Sequence, residues 1–192
     1  MRDTTPGGAR KAAARDEIRM RETDRSARRV GEIAAAAARG TVAYGELTSG
    51  NVSLAANVEK LVIPGIVVPV EPGRQYRAEA AALIWNASSV ITHGSLLLRY
   101  LLSADGAVAD LTSPNLIADR ITIINGGFGC GSHPQRTIPP IDTDQYTHLS
   151  VCVSGVVSGQ PGGVHGVPAA PAQLWVFDDG AVIAPADENP PI

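Results

Sequence analysis

Hydrophobic and polar positions recur with two different periods in this chain, and the change falls at Gly40. From about Lys11 to Arg39 there is no proline, Gly31 is the only glycine, and alanine, arginine and glutamate dominate, all strong helix formers. Ala13, Met20, Ala27 and Ala34 recur every seven residues, with Val30 and Ala37 in the matching half-heptad slots, while Asp16 and Thr23 interrupt the second seam. The pattern predicts an N-terminal helix with a half-filled coiled-coil seam. Gly40 is placed as a C′ glycine that ends it.

Beyond Gly40 the period is two. Predicted strands are 41–47, 58–63, 66–70, 75–86, 95–102, 121–124, 146–153 and 173–177, with a last short one at 181–183 after Asp179-Gly180. Pro64-Gly65 breaks the second from the third. Glu71-Pro72-Gly73-Arg74 has the proline and glycine of a type II turn. Along 75–86, Tyr76, Ala78, Ala80, Ala82 and Ile84 share one face. Strand 95–102 is apolar on both faces except for Arg99. Residues 155–171 hold five glycines and three prolines and read as a long exposed loop. Many short strands without a helical period predict a mainly β domain, an antiparallel sandwich or jelly-roll-like barrel, preceded by an N-terminal α-helix. The domain plan is an arm and helix over 1–40, a β-sandwich over 41–184 and a flexible tail over 185–192.

Charge follows the same division. The first forty residues carry ten Lys/Arg against six Asp/Glu, and the rest six against thirteen, for a formal −3 over 192 residues. A basic segment ahead of an acidic β domain suggests a part held at one end that displays the other. Aromatic content of 4% and the large share of alanine imply a thin core, for which burial against other chains adds stability. No run approaches the roughly 18–20 apolar residues of a membrane span, and no apolar stretch follows the basic start. Neither membrane insertion nor a secretory leader is expected.

Candidate chemistry is sparse. Cys130-x2-His133 and His148-x3-Cys152 offer four zinc-type ligands, but on one strand His148 and Cys152 stand about 13 Å apart, against the roughly 4 Å that two ligands of one zinc need. Reduced thiols, or a Cys130–Cys152 disulfide, are the other readings. Gly126-Gly127-Phe128-Gly129-Cys130-Gly131 lacks the Walker lysine and opens no helix, so it is neither a P-loop nor a dinucleotide fingerprint. Asp142-Thr143-Asp144 reads as a turn, without the glutamate of an EF-hand. There is no Gly-x-Ser-x-Gly elbow, and no context around His93, His133, His148 or His165 nominates a base. Asn51-x-Ser53 and Asn86-x-Ser88 fit the glycosylation pattern. Basic residues of the helix alternate with acids and lack interleaved aromatics, so nucleic-acid binding is not expected. Trp85 and Trp175 lie in predicted strands, where core packing is the commoner use, and surface stacking on a sugar is the alternative. The residues point to no enzyme and no cofactor.

Several of these pieces together resemble small virion proteins of tailed phages of actinobacteria, labelled minor tail, tail fibre or head fibre components. An Arg/Ala-rich helix leads into Gly40-Thr41-Val42-Ala43-Tyr44. An apolar strand meets a Pro-Gly-Arg turn in Ile66-Val67-Val68-Pro69-Val70-Glu71-Pro72-Gly73-Arg74-Gln75-Tyr76-Arg77, and Leu174-Trp175-Val176-Phe177-Asp178 closes the domain. The resemblance implies a virion location and a homotrimer, with the helix as anchor or stalk and the sandwich outward. Met20, Ala27, Val30, Ala34 and Ala37 would then pack between protomers or onto another virion protein. Trp85 and Trp175 would be available to a cell-surface glycan. A capsid decoration or head-fibre protein, and a stand-alone carbohydrate-binding sandwich, are the alternatives.

Overall fold

The computed structural model describes residues 39–87, 90–123 and 129–181. The expected helix and the anchoring positions Met20, Ala27, Val30, Ala34 and Ala37 lie outside these residues, as does the tail 185–192. Among the described residues there are eleven strands: β1 Gly40–Leu47, β2 Val52–Leu54, β3 Lys60–Pro69, β4 Arg74–Asn86, β5 Thr92–Ser103, β6 Asn115–Ile123, β7 Cys130–Ser132, β8 Gln135–Thr137, β9 His148–Val157, β10 Gly162–Val164 and β11 Ala172–Ala181. They form two antiparallel sheets. The larger runs β1-β11-β4-β10-β2, with β7 and β8 on the other edge of β4, and the smaller runs β3-β9-β5-β6. The mainly β sandwich expected from the period of two is the fold observed.

β4 organises the larger sheet. Tyr76, Ala78, Ala80, Ala82 and Ile84 are all at most 5% exposed, whereas Gln75, Arg77, Glu79, Ala81, Leu83 and Trp85 alternate with them on the outer face. The inner alanines share one core with Leu96 and Leu98 of β5, Leu149, Val151 and Val153 of β9, and Leu174 and Val176 of β11. Each fully buried aliphatic of that size contributes roughly 1.5–3 kcal/mol, so these larger side chains, not the alanines, carry most of the hydrophobic stabilisation. On β5, Gly94 keeps the sheets close: a Cβ there would stand 2.9 Å from Ile84 Cγ2.

Three expected breaks are not breaks. Pro64 and Gly65 do not divide two strands, because β3 runs through them with shifts in register against β9 between Leu61, Ile63 and Ile66. The irregularity accommodates a proline that cannot donate to the ladder. Residues 155–171 are not one long loop, since β9 continues to Val157 and β10 inserts between β4 and β2. Its glycines serve packing: a Cβ on Gly162 would lie 2.1 Å from the Trp85 carbonyl oxygen, and one on Gly163 2.6 Å from that of Val52. Asp179-Gly180 does not turn the chain either, because β11 passes through it on a bulge with Gly180 at φ +103°. The type II turn at Pro72-Gly73 is consistent with Gly73 at φ +68°.

A buried ion pair ties the ends of β4 and β11 together. Arg74 Nε and Nη2 donate to Asp178 Oδ2 at 3.0 and 2.7 Å, and both side chains are under 5% exposed. Asp178 Oδ1 accepts from the Gly180 amide at 3.0 Å, which holds the bulge. Arg39, where the described chain begins, donates to both Glu71 oxygens at 2.5 and 2.7 Å, and its backbone N–H reaches the Asp178 carbonyl at 3.1 Å. Removing one partner of a buried pair leaves an uncompensated charge and costs about 3–5 kcal/mol. Asp178→Asn is therefore expected to lower the unfolding free energy by about that much in urea titrations. A loss under about 0.5 kcal/mol, the range of ordinary surface changes, would show that the pair is not a structural tie.

Candidate functional site on the outer faces of the sandwich

Alternation along β1, β11 and β4 places aromatics on the outer face of the larger sheet. The register brings Tyr44, Trp175 and Glu79 into one cross-strand row, and Thr41, Phe177 and Arg77 into the next. Tyr44 is 46% exposed and its ring lies 5.8 Å from that of Trp175 at an interplanar angle of 43°. Gln173 Nε2 donates to Tyr44 Oη at 2.9 Å. The Arg77 guanidinium sits 4.1 Å from the Phe177 ring centroid and pairs with Glu79 and Asp179, each at 3.0 Å. The result is an aromatic strip with charges of both signs along it.

Trp85 and Trp175 are therefore not core residues, against the commoner expectation for tryptophan in a strand. Both are half-buried on this outer face, but they are not together. Trp85 is six residues along β4 from Glu79, the cross-strand partner of Trp175, which is about 20 Å. It lies over Gly163 and 6.3 Å from the His165 ring, and its buried indole N–H has no acceptor among the described residues.

The smaller sheet treats its outer face differently. One half is covered by the 104–114 connection, whose Ala109 amide donates to Ser150 Oγ at 2.9 Å. Arg99, the lone charge of an apolar strand, lies at this covered half. It donates to both Glu59 oxygens at 2.8 and 2.7 Å and to the Ser113 carbonyl at 2.6 Å. Ser154 Oγ also donates to Glu59. The Arg99 hydrogen bonds hold the Glu59 carboxyl below its ordinary range, with Ser154 adding to this and burial opposing it. Cys152 lies on the same face, where burial pushes its thiol up to about 11. The other half is open, with a cleft of about 260 Å³ lined by His93, Ser95, Arg120, Val156 and Ser158. A second cleft, about 480 Å³, lies at the sandwich edge beside Gln75, Tyr100, Asn115, Arg136 and Ile138.

The zinc-type residues are not assembled. Among the described residues no three His, Cys, Asp or Glu side chains come together as a metal site. Cys130 lies in the larger sheet and Cys152 in the smaller, and both are free thiols, which removes the disulfide reading. The His148 ring packs near Gly106, with Nδ1 2.8 Å from Thr147 Oγ1. Asp142 Oδ1 accepts from the Asp144 amide at 3.1 Å, which is the turn expected there. Residues 126–128 of the glycine-rich run lie outside the described residues. Asn86 is fully buried, with its amide on Thr92 Oγ1 at 2.7 Å, so that glycosylation pattern is a structural brace. Among the described residues no histidine ring links a serine or cysteine to a carboxylate.

Sequence reasoning missed Tyr44, Phe177 and Arg77 as one surface, and missed the buried Arg74–Asp178 pair and the part-buried Arg99–Glu59 pair. The period of two carried the signal for the first, because Tyr44, Trp175 and Phe177 each fall on the outer parity of their strand. The second depends on cross-strand register, which only the folded chain supplies.

No protein-family profile matches the chain, and no curated protein sequence does. Solved structures with partial likeness include the Eiger TNF of S. frugiperda, at 10% identity and a TM-score of 0.38, covering 80% of this chain and 100% of that one. The infectious bursal disease virus VP2 subviral particle matches at 13% identity and 0.39 over 74% of this chain, which spans only 38% of VP2. A xylan-binding domain from CBM 22 matches at 11% and 0.33, covering 76% of this chain and 99% of that one. At these scores none of the three bears on what the chain binds.

Two measurements check the covered face. With its thiol pushed up to about 11 and buried, Cys152 should resist a thiol reagent at pH 8 while half-buried Cys130 reacts. One thiol should titrate in the native protein and two in denaturant; two fast thiols in the native protein would contradict the packing. Because Glu59 has a lowered folded value, its contribution to stability is complete above the ordinary carboxylate value of about 4.3 and is lost as pH falls toward the lower folded one. Glu59→Gln should therefore flatten the acid limb of the stability profile, and an unchanged limb would remove Glu59 from that role.

Proposed function

We propose that this chain is a non-enzymatic structural protein of a tailed-phage virion, a homotrimeric minor tail or tail fibre component that displays a β-sandwich. The observation that carries the reading is the aromatic strip of Tyr44, Trp175 and Phe177 on β1 and β11. It lies on the sheet into which the N-terminal segment feeds at Arg39. That segment has a seven-residue recurrence whose apolar seam is shielded only by another helix. Arg77 stands on this face among Glu79, Asp179 and Glu46, so the face carries charges of both signs, and a second copy can set its arginine against these acids. Residues 1–40 act as the mount, through Met20, Ala27, Val30, Ala34 and Ala37, and the remaining surface is what the particle presents. A cell-surface glycan is the partner for that presented surface.

The alternative within the virion is a capsid decoration or head-fibre protein, whose basic arm grips the shell. A stand-alone carbohydrate-binding sandwich is a second reading, favoured by the exposure of Tyr44 beside Trp175.

Light scattering on the full chain of 19.9 kDa is expected to give about 60 kDa, and Tyr44→Arg combined with Trp175→Arg should shift it toward monomer. A monomer at tens of micromolar, with oligosaccharide binding lost in Trp175→Ala or Trp85→Ala, would replace the trimer with the lectin-like reading. Immunogold label on the tail supports the tail placement, and label over the head supports the capsid one.

A further inference from the structure

The open half of the smaller sheet's outer face carries a cation that the fold does not use. Ser95 pairs in register with Arg120 of β6 on one side and Val156 of β9 on the other, and His93 pairs with Thr122 in the adjacent row. These side chains share one face, because His93 and Ser95 have the outward parity of β5 while Gly94 and Leu96 point into the core. The row is held in place. His93 Nδ1 lies 3.3 Å from Thr122 Oγ1, the His93 amide donates to Ser158 Oγ at 3.3 Å, and the Ser158 amide donates to the His93 carbonyl at 2.8 Å.

The charges around this cleft are one-sided. His93, Ser95, Arg120, Val156 and Ser158 line it, with no carboxylate among them. Among the described residues Arg39, Arg74, Arg77 and Arg99 each have an acid within ion-pair distance, while Arg120, like Lys60 and Arg136, has none. Acids elsewhere on this face are engaged, Glu59 by Arg99 and Ser154, and Asp110 by Thr112. Asp119 belongs to the inward parity of β6 and accepts from Ser132 Oγ at 2.7 Å. In a domain where acids outnumber bases about two to one, a concave patch with a guanidinium and no acid is set up for an anion.

We propose that this cleft binds the acidic substituent of a single sugar unit, a carboxylate or phosphate carried on a pyranose-sized ring. The planar guanidinium of Arg120 matches either oxyanion with two parallel hydrogen bonds. The hydroxyl of Ser95 and the imidazole of His93 are partners for ring hydroxyls, the Ser158 hydroxyl being engaged with the His93 backbone, and Val156 supplies an apolar patch beneath. At about 260 Å³ the cleft is smaller than the roughly 300–1,000 Å³ of drug-sized sites, which fits one ring and not an extended ligand. The proposal stands apart from the trimer reading, because it uses the opposite sheet and none of the residues of the aromatic strip.

The test is a titration of the full-length protein with glucuronate, glucose 6-phosphate, inorganic phosphate and neutral glucose, followed by amide chemical shifts. Saturable shifts at residues 92–97, 118–123 and 155–158 are expected for one or both acidic sugars, with the tighter one identifying the acid, and none for glucose. Arg120→Ala should weaken binding about tenfold or more, as loss of a charged hydrogen-bond pair does. Arg136→Ala, on the other sheet, should leave it unchanged. Arg120 is exposed, so its variant should keep the parent melting temperature, and Ser95→Ala provides a second, milder change in the same direction. Absence of saturation for both acidic sugars, glucose binding as tightly as they do, equal weakening by Arg136→Ala, or inorganic phosphate binding as tightly as the sugars would each overturn the proposal.

Discussion

The structure depends on β4 hydrogen-bonding to four other strands while keeping a strict two-residue alternation over thirteen residues. With β11 and β10 along one edge and β8 and β7 along the other, a slip of one residue would turn every side chain of the strand to the wrong face. The alanines at 78, 80 and 82 make that alternation compatible with a close sheet-to-sheet distance, and Gly94 removes the remaining clash on the facing strand. The sandwich is thin for this reason. Its stabilisation comes from the leucines, isoleucines and valines that β5, β9 and β11 set against a nearly flat wall.

That constraint on the inner face determines what the outer faces can be. Apart from Tyr76 and the buried Arg74–Asp178 pair, β4 and β11 turn their small and aliphatic residues inward and their bulky and charged ones outward, where Tyr44, Trp175, Phe177 and Arg77 meet. The smaller sheet solves the same problem by folding the 104–114 connection over half its outer face and neutralising Arg99 against Glu59. Only the half beyond Ser95 remains uncovered. The two sheets thus present surfaces of different chemistry: an aromatic strip with charges of both signs, and a small cleft with an arginine and no carboxylate.

Much of the fold was legible because the period of two is a local property. The inner face of β4 could be read directly from Tyr76 to Ile84, and so could the turn at Pro72-Gly73. What misled was reading glycine and proline as punctuation. Gly162 and Gly163 are glycines because carbonyl oxygens of β4 and β2 occupy the space of a side chain, and Pro64 is tolerated because β3 is irregular there. The site was less legible. Arg74 was visible only as a turn residue and Asp178 only as the end of an apolar strand, since their pairing is a contact across 104 residues. Trp85 and Trp175 were candidates on composition, yet their separation along the sheet comes from register, which no local pattern encodes.

The central claim is that the Tyr44–Trp175 strip is covered by another copy of the chain. Hydroxyl-radical footprinting of the full-length protein over a dilution series tests it most directly, with Tyr146 as an internal reference. The account predicts that Tyr44 and Trp175 are protected at high concentration and become reactive on dilution, while Tyr146 does not change. Tyr44 reacting at every concentration at the rate set by its 46% exposure in the single chain would contradict it.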